Sequence, residues 1–407
     1  MLLEQIIQDA KKSLLYMERY VNDGSPSGFT QLNQTSYNTS PLSKIEYFYL
    51  DMVICDGDKI ETVGELPTFF NNLNKNAIFI HPDMSPSLRK KGITVIKSNL
   101  RVCPTSSSRT VKLLDYPGYF KLNYNGLIGR IDRSLTDKHA YASVELTRFL
   151  DKAFTKETYS KISFLHETAA LIYRYPEKNV NIGLVYREEK AKGPNAEEIK
   201  YIIPFFSLFS QDKLTDKKTD YLFIQLIQKS KKSPFNFTIE LIYCIIDNYF
   251  KLLLNEGLQP EWHAQNLLLG LDSNLSFCSI IMRDLESIDI DQTLQHSIGI
   301  QKVMKSYPYK HLNSSHYNYQ IKHSFMYDFK IGEYIFSPLI NCVCDYYNLN
   351  PKDFEICIKD YAKKYIKRLP SEFFPKDGIW FSFEKVLIDR TIPERPYLKN
   401  ENAKYRG

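Results

Sequence analysis

Two stretches of the 407-residue chain collect side chains suited to phosphate or carboxylate chemistry. The first, Pro104-Thr-Ser-Ser-Ser-Arg-Thr-Val111, crowds hydroxyls around one guanidinium, and Lys121 and Arg133 follow at intervals of twelve residues. Arginine forks and Ser/Thr hydroxyls match phosphate oxygens, whereas lysine supplies a point charge. Alternation along extended strands can bring Arg109, Lys121 and Arg133 to one face of a sheet. A Ser-rich turn followed by solvated surface charges explains the same residues, and that reading stays open. No glycine-rich phosphate loop accompanies them, so the segment is not a P-loop.

The second stretch, Gln259-Pro-Glu-Trp-His-Ala-Gln-Asn-Leu-Leu-Leu269, places Glu261, His263, Gln265 and Asn266 ahead of an apolar run. A further apolar run ends at Met282-Arg283-Asp284. If the two runs pair as a hairpin around Asp272-Ser273-Asn274, Asp284 returns to Gln265 and Asn266. Glu261, Asn266 and Asp284 then offer oxygen ligands to Mg²⁺, which favours carboxylates, water and substrate phosphates. A lone His263 would suit a structural role; the crowding of Glu, His, Gln and Asn favours a functional one.

The elements that must hold these residues follow from pattern. Residues 2–21 have helical apolar spacing, and the polar stretch 22–43 reads as a loop. Short strand-like runs occupy 45–55, 77–81, 93–97, 110–114 and 119–124, with 181–187 closing the region, and together they suggest a mostly antiparallel sheet. From about Asp220 the periodicity becomes helical: 221–228, then 237–255 after the Ser233-Pro234 break, ending at Gly257 and Pro260. The hairpin strands are 266–271 and 277–283, and proline opens a helix over 351–367. The fold class is therefore α+β, with a sheet-rich middle and a helix-rich second half.

Composition narrows the functions. A net charge of +6, from 53 basic and 47 acidic side chains, is too slight to argue for nucleic acid. No apolar run is long enough to span a bilayer, and Glu4, Asp9, Lys11 and Lys12 interrupt any signal-like stretch. A cytoplasmic protein without a membrane partner is expected. Seven irregularly spaced cysteines argue against a disulfide framework and for buried thiols, although Cys342-Val-Cys344 has the look of half a metal site.

Two families share the order helix, polar loop, hairpin, aspartate. Small-molecule kinases of the aminoglycoside-phosphotransferase kind need an aspartate where this chain has Gln265 and an asparagine where it has Gly270. The base for a substrate hydroxyl is therefore missing. The NRPS-independent siderophore synthetases, of the aerobactin-synthetase type, are resembled more fully. Their Ser-x-Arg-Thr motif, downstream Lys and Arg, and Glu-x-His-x-Gln-Asn before Arg-Asp correspond to Ser107, Arg109, Thr110, Lys121, Arg133, Glu261, His263, Gln265, Asn266, Arg283 and Asp284. Weaker echoes are His81-Pro82, Tyr186-Arg187-Glu188, and Lys385 with Arg390.

The resemblance implies a fingers, palm and thumb architecture with antiparallel sheets, a helix-rich palm and a distantly kinase-like hairpin. The corresponding division is a reduced thumb-like region at 1–70, fingers at 71–190 and palm at 191–407. It implies ATP as substrate, held by Ser107, Arg109, Thr110, Lys121, Arg133, His263, Gln265 and Asn266, with Arg109, Lys121 and Arg133 catalytic. Mg²⁺ would lie by Glu261, Asn266 and Asp284. The implied chemistry is adenylation of a carboxylate such as citrate, followed by condensation with an amine or hydroxyl, in siderophore biosynthesis and iron acquisition. Gly129 stands where the family has Thr. Glu18 to Pro26 resembles the start of the family's Gly-His-Pro-x-His-Pro segment, with Ser25 for the first His, and a chance Gly-Ser-Pro turn explains it equally. The N-terminal region reads as shortened, so citrate is expected to be a poor acid substrate. A small-molecule kinase and a non-catalytic nucleotide-binding relative remain as alternatives, and a homodimer is left open.

Overall fold

The computed structural model describes residues 3–23, 36–128, 131–135, 137–216, 218–300, 323–374, 379–381, 397–399 and 401–406. An eight-stranded antiparallel sheet contains β1 (Phe48–Ile54), β2 (Glu61–Gly64), β3 (Ala77–Ile80), β4 (Val95–Pro104), β5 (Thr110–Leu113) and β6 (Tyr119–Leu122). Tyr124–Ile128 (β7) and Ile131–Arg133 (β8) form a separate hairpin, and β9 (Ile162–Leu165) leaves for a second sheet. Strands β10 (Ala169–Tyr175) and β11 (Val180–Arg187) complete the first, in the order β2-β10-β11-β6-β5-β4-β1-β3. Strands from the first 70 residues thus pair directly with those of 71–190.

The second sheet adds β12 (Ala191–Lys192), β13 (Tyr201–Pro204), and then, after the short strand β14 (Leu258–Gln259), β15 (Leu267–Leu271) and β16 (Phe277–Met282). Its order is β12-β9-β16-β15-β13. The β9–β16 pair is parallel, which departs from the antiparallel sheets that the resemblance implies. The long connection between those two strands is what allows it.

Leu267, Leu269 and Leu271 on β15 point into the main core, while Leu268 packs on the other face with Leu165 and Ile281. That period of two is the pleat expressed in sequence. The main core lies between this sheet and the helices, chiefly Leu222–Ser230, Pro234–Glu256, Ser337–Tyr347 and Pro351–Ile366. The eight-stranded sheet carries its own core around Val102, Val111, Phe120 and Leu184.

Local chemistry sets the long helix as its sequence predicts. The Ser233 hydroxyl accepts from Asn236 N–H, Pro234 opens the first turn, and Gly257 ends the helix at φ 62°. A Cβ there would lie 2.4 Å from Gln295 Cγ and 3.1 Å from Asp291 O.

Other boundaries moved for physical reasons. The predicted N-terminal helix is two helices, Leu3–Gln8 and Ala10–Tyr20, divided where Asp9 caps Lys12 N–H at 3.0 Å. The 119–124 run divides at Asn123, whose amide donates to Asn181 O at 3.1 Å and whose carbonyl accepts from Leu135 N–H at 2.5 Å. The 93–97 strand continues to Pro104, directly into the Ser-rich turn. Strand β11 sits inside its sheet, between β10 and β6. The helix Asp137–Ala153 and strands β9 and β10 had no counterpart in the sequence reading.

All seven cysteines are free, and five of them are buried. Among the described residues no helix is long and apolar enough to cross a membrane.

Candidate functional site

The Ser-rich stretch is a tight turn joining β4 to β5. Thr105 Oγ1 donates to Thr110 O at 2.7 Å, Ser107 Oγ accepts from Thr110 N–H at 3.1 Å, and Ser108 takes φ 62°. The turn presents Arg109, and strand register places Thr110 opposite Lys121. Register also sets Lys121 opposite Val185 and Tyr119 opposite Arg187. Lys121 and Arg187 therefore project from one face of the sheet, because 119 and 121 share a side.

The 267–282 hairpin forms as expected, with Leu267 opposite Met282. Arg283 N–H donates to Asn266 O at 3.0 Å, and Arg283 Nε donates to Gln265 O at 2.8 Å. The chain then turns through Asp284 at φ 66° and a 3₁₀ turn, Leu285–Ser287. This turn carries two carboxylates to the cationic face of the other sheet.

Lys121 Nζ forms an ion pair with Asp284 Oδ1 and lies 2.9 Å from Glu286 Oε1. Arg109 Nη2 reaches the same Glu286 oxygen at 2.9 Å. Arg187 Nη2 bridges Glu167 Oε1 at 2.5 Å and Asp284 Oδ1 at 3.3 Å. Arg109, Lys121, Arg187, Glu167 and Glu286 are all buried, and Asp284 is partly exposed. Three cations thus balance three carboxylates where the sheets meet.

The pairing controls protonation. Burial alone would raise the Asp284 carboxyl, but Lys121, Arg187 and Arg109 override it and hold the group far below the usual carboxylate range. Burial raises Glu286 likewise, and Lys121 and Arg109 reverse that and push it down to about 2. His139, near the start of helix Asp137–Ala153, is lowered by burial, with Glu286 opposing the shift.

The remaining expected residues are distributed around this centre. Gln265 Nε2 donates to Ser106 Oγ at 3.4 Å, and Gln265 N–H donates to His263 Nδ1 at 3.2 Å. The Asn266 amide donates to Glu261 O at 3.3 Å and to Ser287 Oγ at 3.5 Å. Glu261 does not join Asp284: its carboxylate pairs with Lys330 at 2.7 Å, reached from a π-helical segment, Phe325–Phe336. Arg133 ends β8, and its side chain lies outside the described residues, as do Gly129, Gly24 to Pro26, Lys385 and Arg390.

Among the described residues no group of three or more His, Cys, Asp or Glu side chains could hold a metal ion. Asp284 and Glu286 meet on one ammonium, and Glu286 Oε2 is buried without a hydrogen-bond partner. Two carboxylates and one unsatisfied oxygen fit Mg²⁺, which takes one or two carboxylates together with substrate phosphates.

Glu167, Glu286 and His139 were not singled out in the sequence, and Glu18 was named only as the first residue of the Glu18 to Pro26 segment. Glu286 had a signal, as the second acid in Arg283-Asp-Leu-Glu286 after an apolar strand. Glu167 interrupts the otherwise apolar stretch from Ile162 to Ile172, with His166 and Thr168 beside it. Arg187 was visible only as a weak echo.

The site thus sets a sheet-bound row of cations against a hairpin-borne pair of carboxylates, and comparisons with known proteins bear on the chain. Residues 77–210, about a third of the chain, match the IucA / IucC family. The petrobactin biosynthesis protein AsbB from Bacillus anthracis str. Sterne has the same fold, at TM-score 0.73 and 15% identity over 99% of this chain and 77% of that one. ATP-bound aerobactin synthetase IucA from a hypervirulent pathotype of Klebsiella pneumoniae aligns at TM-score 0.64 and 14% identity, covering 97% and 80%. Aerobactin synthetase IucC from the same source gives TM-score 0.58 and 13% identity, covering 89% and 74%. No curated protein sequence matches. The likeness read from the motifs is borne out: residues 77–210 match the IucA / IucC family, and the fold is that of the siderophore synthetases AsbB, IucA and IucC.

Proposed function

We propose that the chain is an ATP-dependent synthetase of siderophore biosynthesis that activates a carboxylic acid as its adenylate. The observation that carries this reading is the convergence of Arg109, Lys121 and Arg187 on Asp284 and Glu286. The carboxylates of Asp284 and Glu286 contact the same cations that phosphate oxygens would engage. Mg²⁺-ATP would supply both signs of charge at once, with phosphates engaging Arg109 and Lys121, and Asp284 and Glu286 holding the metal. Bound there, Mg²⁺ would neutralise phosphate charge.

The acid's carboxylate oxygen attacks the α-phosphorus, a new P–O bond forms, and the bond to pyrophosphate breaks. A carboxylate needs no general base for this, in keeping with Gln265 in place of a kinase aspartate. Both reactants are anionic, and preorganised cations reduce their repulsion and stabilise charge on the leaving group. An amine or hydroxyl then attacks the acyl carbon, AMP departs with the electron pair, and the nucleophile's proton passes to solvent or a nearby base. The product is an amide or ester. Ser107 and Thr110 would add hydroxyl contacts to phosphate, and His263, Gln265 and Asn266 would line the nucleotide side.

The test is ATP turnover against panels of di- and tricarboxylates and amines, with nucleotide products resolved. AMP and pyrophosphate, dependent on acid, are expected. ADP with a phosphorylated acceptor would establish a kinase instead, and nucleotide binding without turnover would establish a non-catalytic relative.

A further inference from the structure

The helix Ala10–Tyr20 lies outside the family-matched segment, yet its Glu18 is buried at 2% exposure beside the phosphate-handling turn. Glu18 Oε2 accepts from Ser106 N–H at 3.1 Å and from the Ser106 hydroxyl at 2.5 Å. Its other oxygen, Oε1, takes Arg283 Nη1 at 2.5 Å. One carboxylate therefore ties the turn that precedes Arg109 to the strand end that precedes Asp284. These two segments lie 88 and 265 residues away in the chain.

The helix is well placed for this. Lys11, Leu14 and Glu18 recur at helical spacing and share one face. Lys11 pairs with Glu189 at 2.9 Å, two residues beyond Arg187, and Leu14 lines a crevice with Thr110, Arg187 and Arg283. The neighbouring Arg19 is also buried but turns mainly to the 41–45 loop, donating to Pro41 O, Ser43 O and Ile45 O, with one contact to Cys103 Sγ on β4 at 3.2 Å. Leu3, Ile6, Met17 and Val21 fix the two N-terminal helices into the main core. The clamp is therefore anchored to a rigid element, as a precise site requires.

We propose that Glu18 is a positioning residue of the nucleotide site, setting Arg109 and Asp284 at their working separation without touching substrate. Arg283 and the Ser106 amide both need an anion here; the Glu18 carboxylate satisfies both with good geometry. The inference rests on the ATP-dependent reading given above, and its test separates the two.

Full-length Glu18→Gln, Ser106→Ala and Arg19→Gln are compared with wild type at a temperature where near-ultraviolet circular dichroism shows each folded. Two quantities are read: Mg²⁺-ATP affinity by calorimetry, and amide exchange across Ser107–Thr110 by mass spectrometry. Glu18→Gln is expected to weaken affinity by about tenfold or more, the worth of one charge-assisted hydrogen bond, and to speed exchange of the turn. Arg19→Gln, also buried on the same helix, should change affinity by less than about twofold, because its strong acceptors are the Pro41, Ser43 and Ile45 carbonyls and its one contact toward the turn is a weak bond to Cys103 Sγ on β4. Should Glu18→Gln fail to fold, Ser106→Ala carries the comparison: it deletes the hydroxyl's bond to Glu18 and its long contact from Gln265, leaves the Ser106 N–H and Arg283 contacts to Glu18, and should weaken affinity about threefold. Equal effects of the Glu18 and Arg19 substitutions, or unchanged affinity and exchange in Glu18→Gln, overturn the proposal. A wild-type chain that binds no ATP defeats the ATP reading itself, and the exchange measurement then decides whether Glu18 orders the turn.

Discussion

Lys121 Nζ lies 2.9 Å from Glu286 Oε1, joining the eight-stranded sheet to the turn that follows the second sheet's hairpin. Lys121 is 1% exposed, so this is a buried ion pair rather than a surface one. Buried pairs contribute little net stability, because desolvation offsets their attraction. Here the cost is spread over three cations and three carboxylates, which on the proposed function would exchange partners with an anionic substrate and its metal.

Removing one cation should therefore have two effects. Arg109→Ala is expected to lower turnover by roughly 10²–10³-fold, comparable to losing a preorganised electrostatic group elsewhere. It should also destabilise the fold by about 3–5 kcal/mol or somewhat less, since Glu286 keeps Lys121. An open, solvent-filled cleft would predict no stability loss, but Arg109 is 5% exposed and paired. Steady-state kinetics and urea melts on the same preparation check both halves. Full activity at wild-type stability would make Arg109 irrelevant to the site.

The metal assignment makes a separate demand on Glu286. Glu286→Gln should raise the Mg²⁺ concentration needed for half-maximal ATP binding by about tenfold, the scale of one charge-assisted contact. With metal chelated, ATP should bind the variant at least as tightly as wild type, because a carboxylate that repels phosphate is gone. Titrations of Mg²⁺ at fixed ATP, with and without chelator, read the two directions. Loss of affinity in both conditions would mean that Glu286 orients Arg109 and Lys121 and holds no metal.

How far the sequence told this in advance depended on whether the signal was local. The hairpin was legible because two apolar runs flank a turn; it returned Arg283 to Gln265 and Asn266, while Asp284 beside it turned to Lys121 and Arg187. The caps of the long helix were legible for the same reason, with Ser233, Pro234 and Gly257 each acting within one turn. The helix Asp137–Ala153 was missed because, beside Val144, Leu146 and Leu150, its buried residues are the small or polar Ala140, Ala142, Ser143 and Thr147, which weaken the apolar rhythm. Glu261 was assigned to metal because it lay near Asn266 in sequence. Its partner Lys330 is 69 residues on, and no local pattern announces it. Glu18 and Glu167 are tertiary choices of the same kind: their meaning lies in Arg283 and Arg187, brought close only by the fold.

Gly257 offers a purely structural check. It ends the long helix at φ 62°, and an added Cβ would meet Gln295 Cγ at 2.4 Å and Asp291 O at 3.1 Å. Gly257→Ala should destabilise the fold by more than about 1 kcal/mol, the usual scale for an L-residue forced to positive φ, with packing strain in addition. Chemical melts decide it, and an unchanged midpoint would mean the helix ends differently from the structure described.

The pH dependence of stability should show two steps with separate owners. His81 is fully buried, and burial pushes its imidazole down to about 4, against the pull of Asp83 and Asp51. Its ordinary value is near 6.5, so between roughly pH 6.5 and pH 4 the unfolded chain binds a proton that the folded chain refuses. Stability must fall as pH drops through that window. Glu286 has the opposite charge type but the same sign of effect. Its folded value of about 2 lies below the ordinary 4.5, so its contribution is complete above about pH 4.5 and is lost as pH falls toward 2. Asp284, held lower still by Lys121 and Arg187, adds to this lower step. Replacing His81 with Gln should flatten the upper step and leave the lower one, whereas Glu286→Gln should reduce the lower step and leave the upper. Urea melts taken at half-unit intervals from pH 7 to pH 3 resolve them. A His81→Gln variant whose stability between pH 6.5 and pH 4 still falls as steeply as wild type would show that another group carries the upper step.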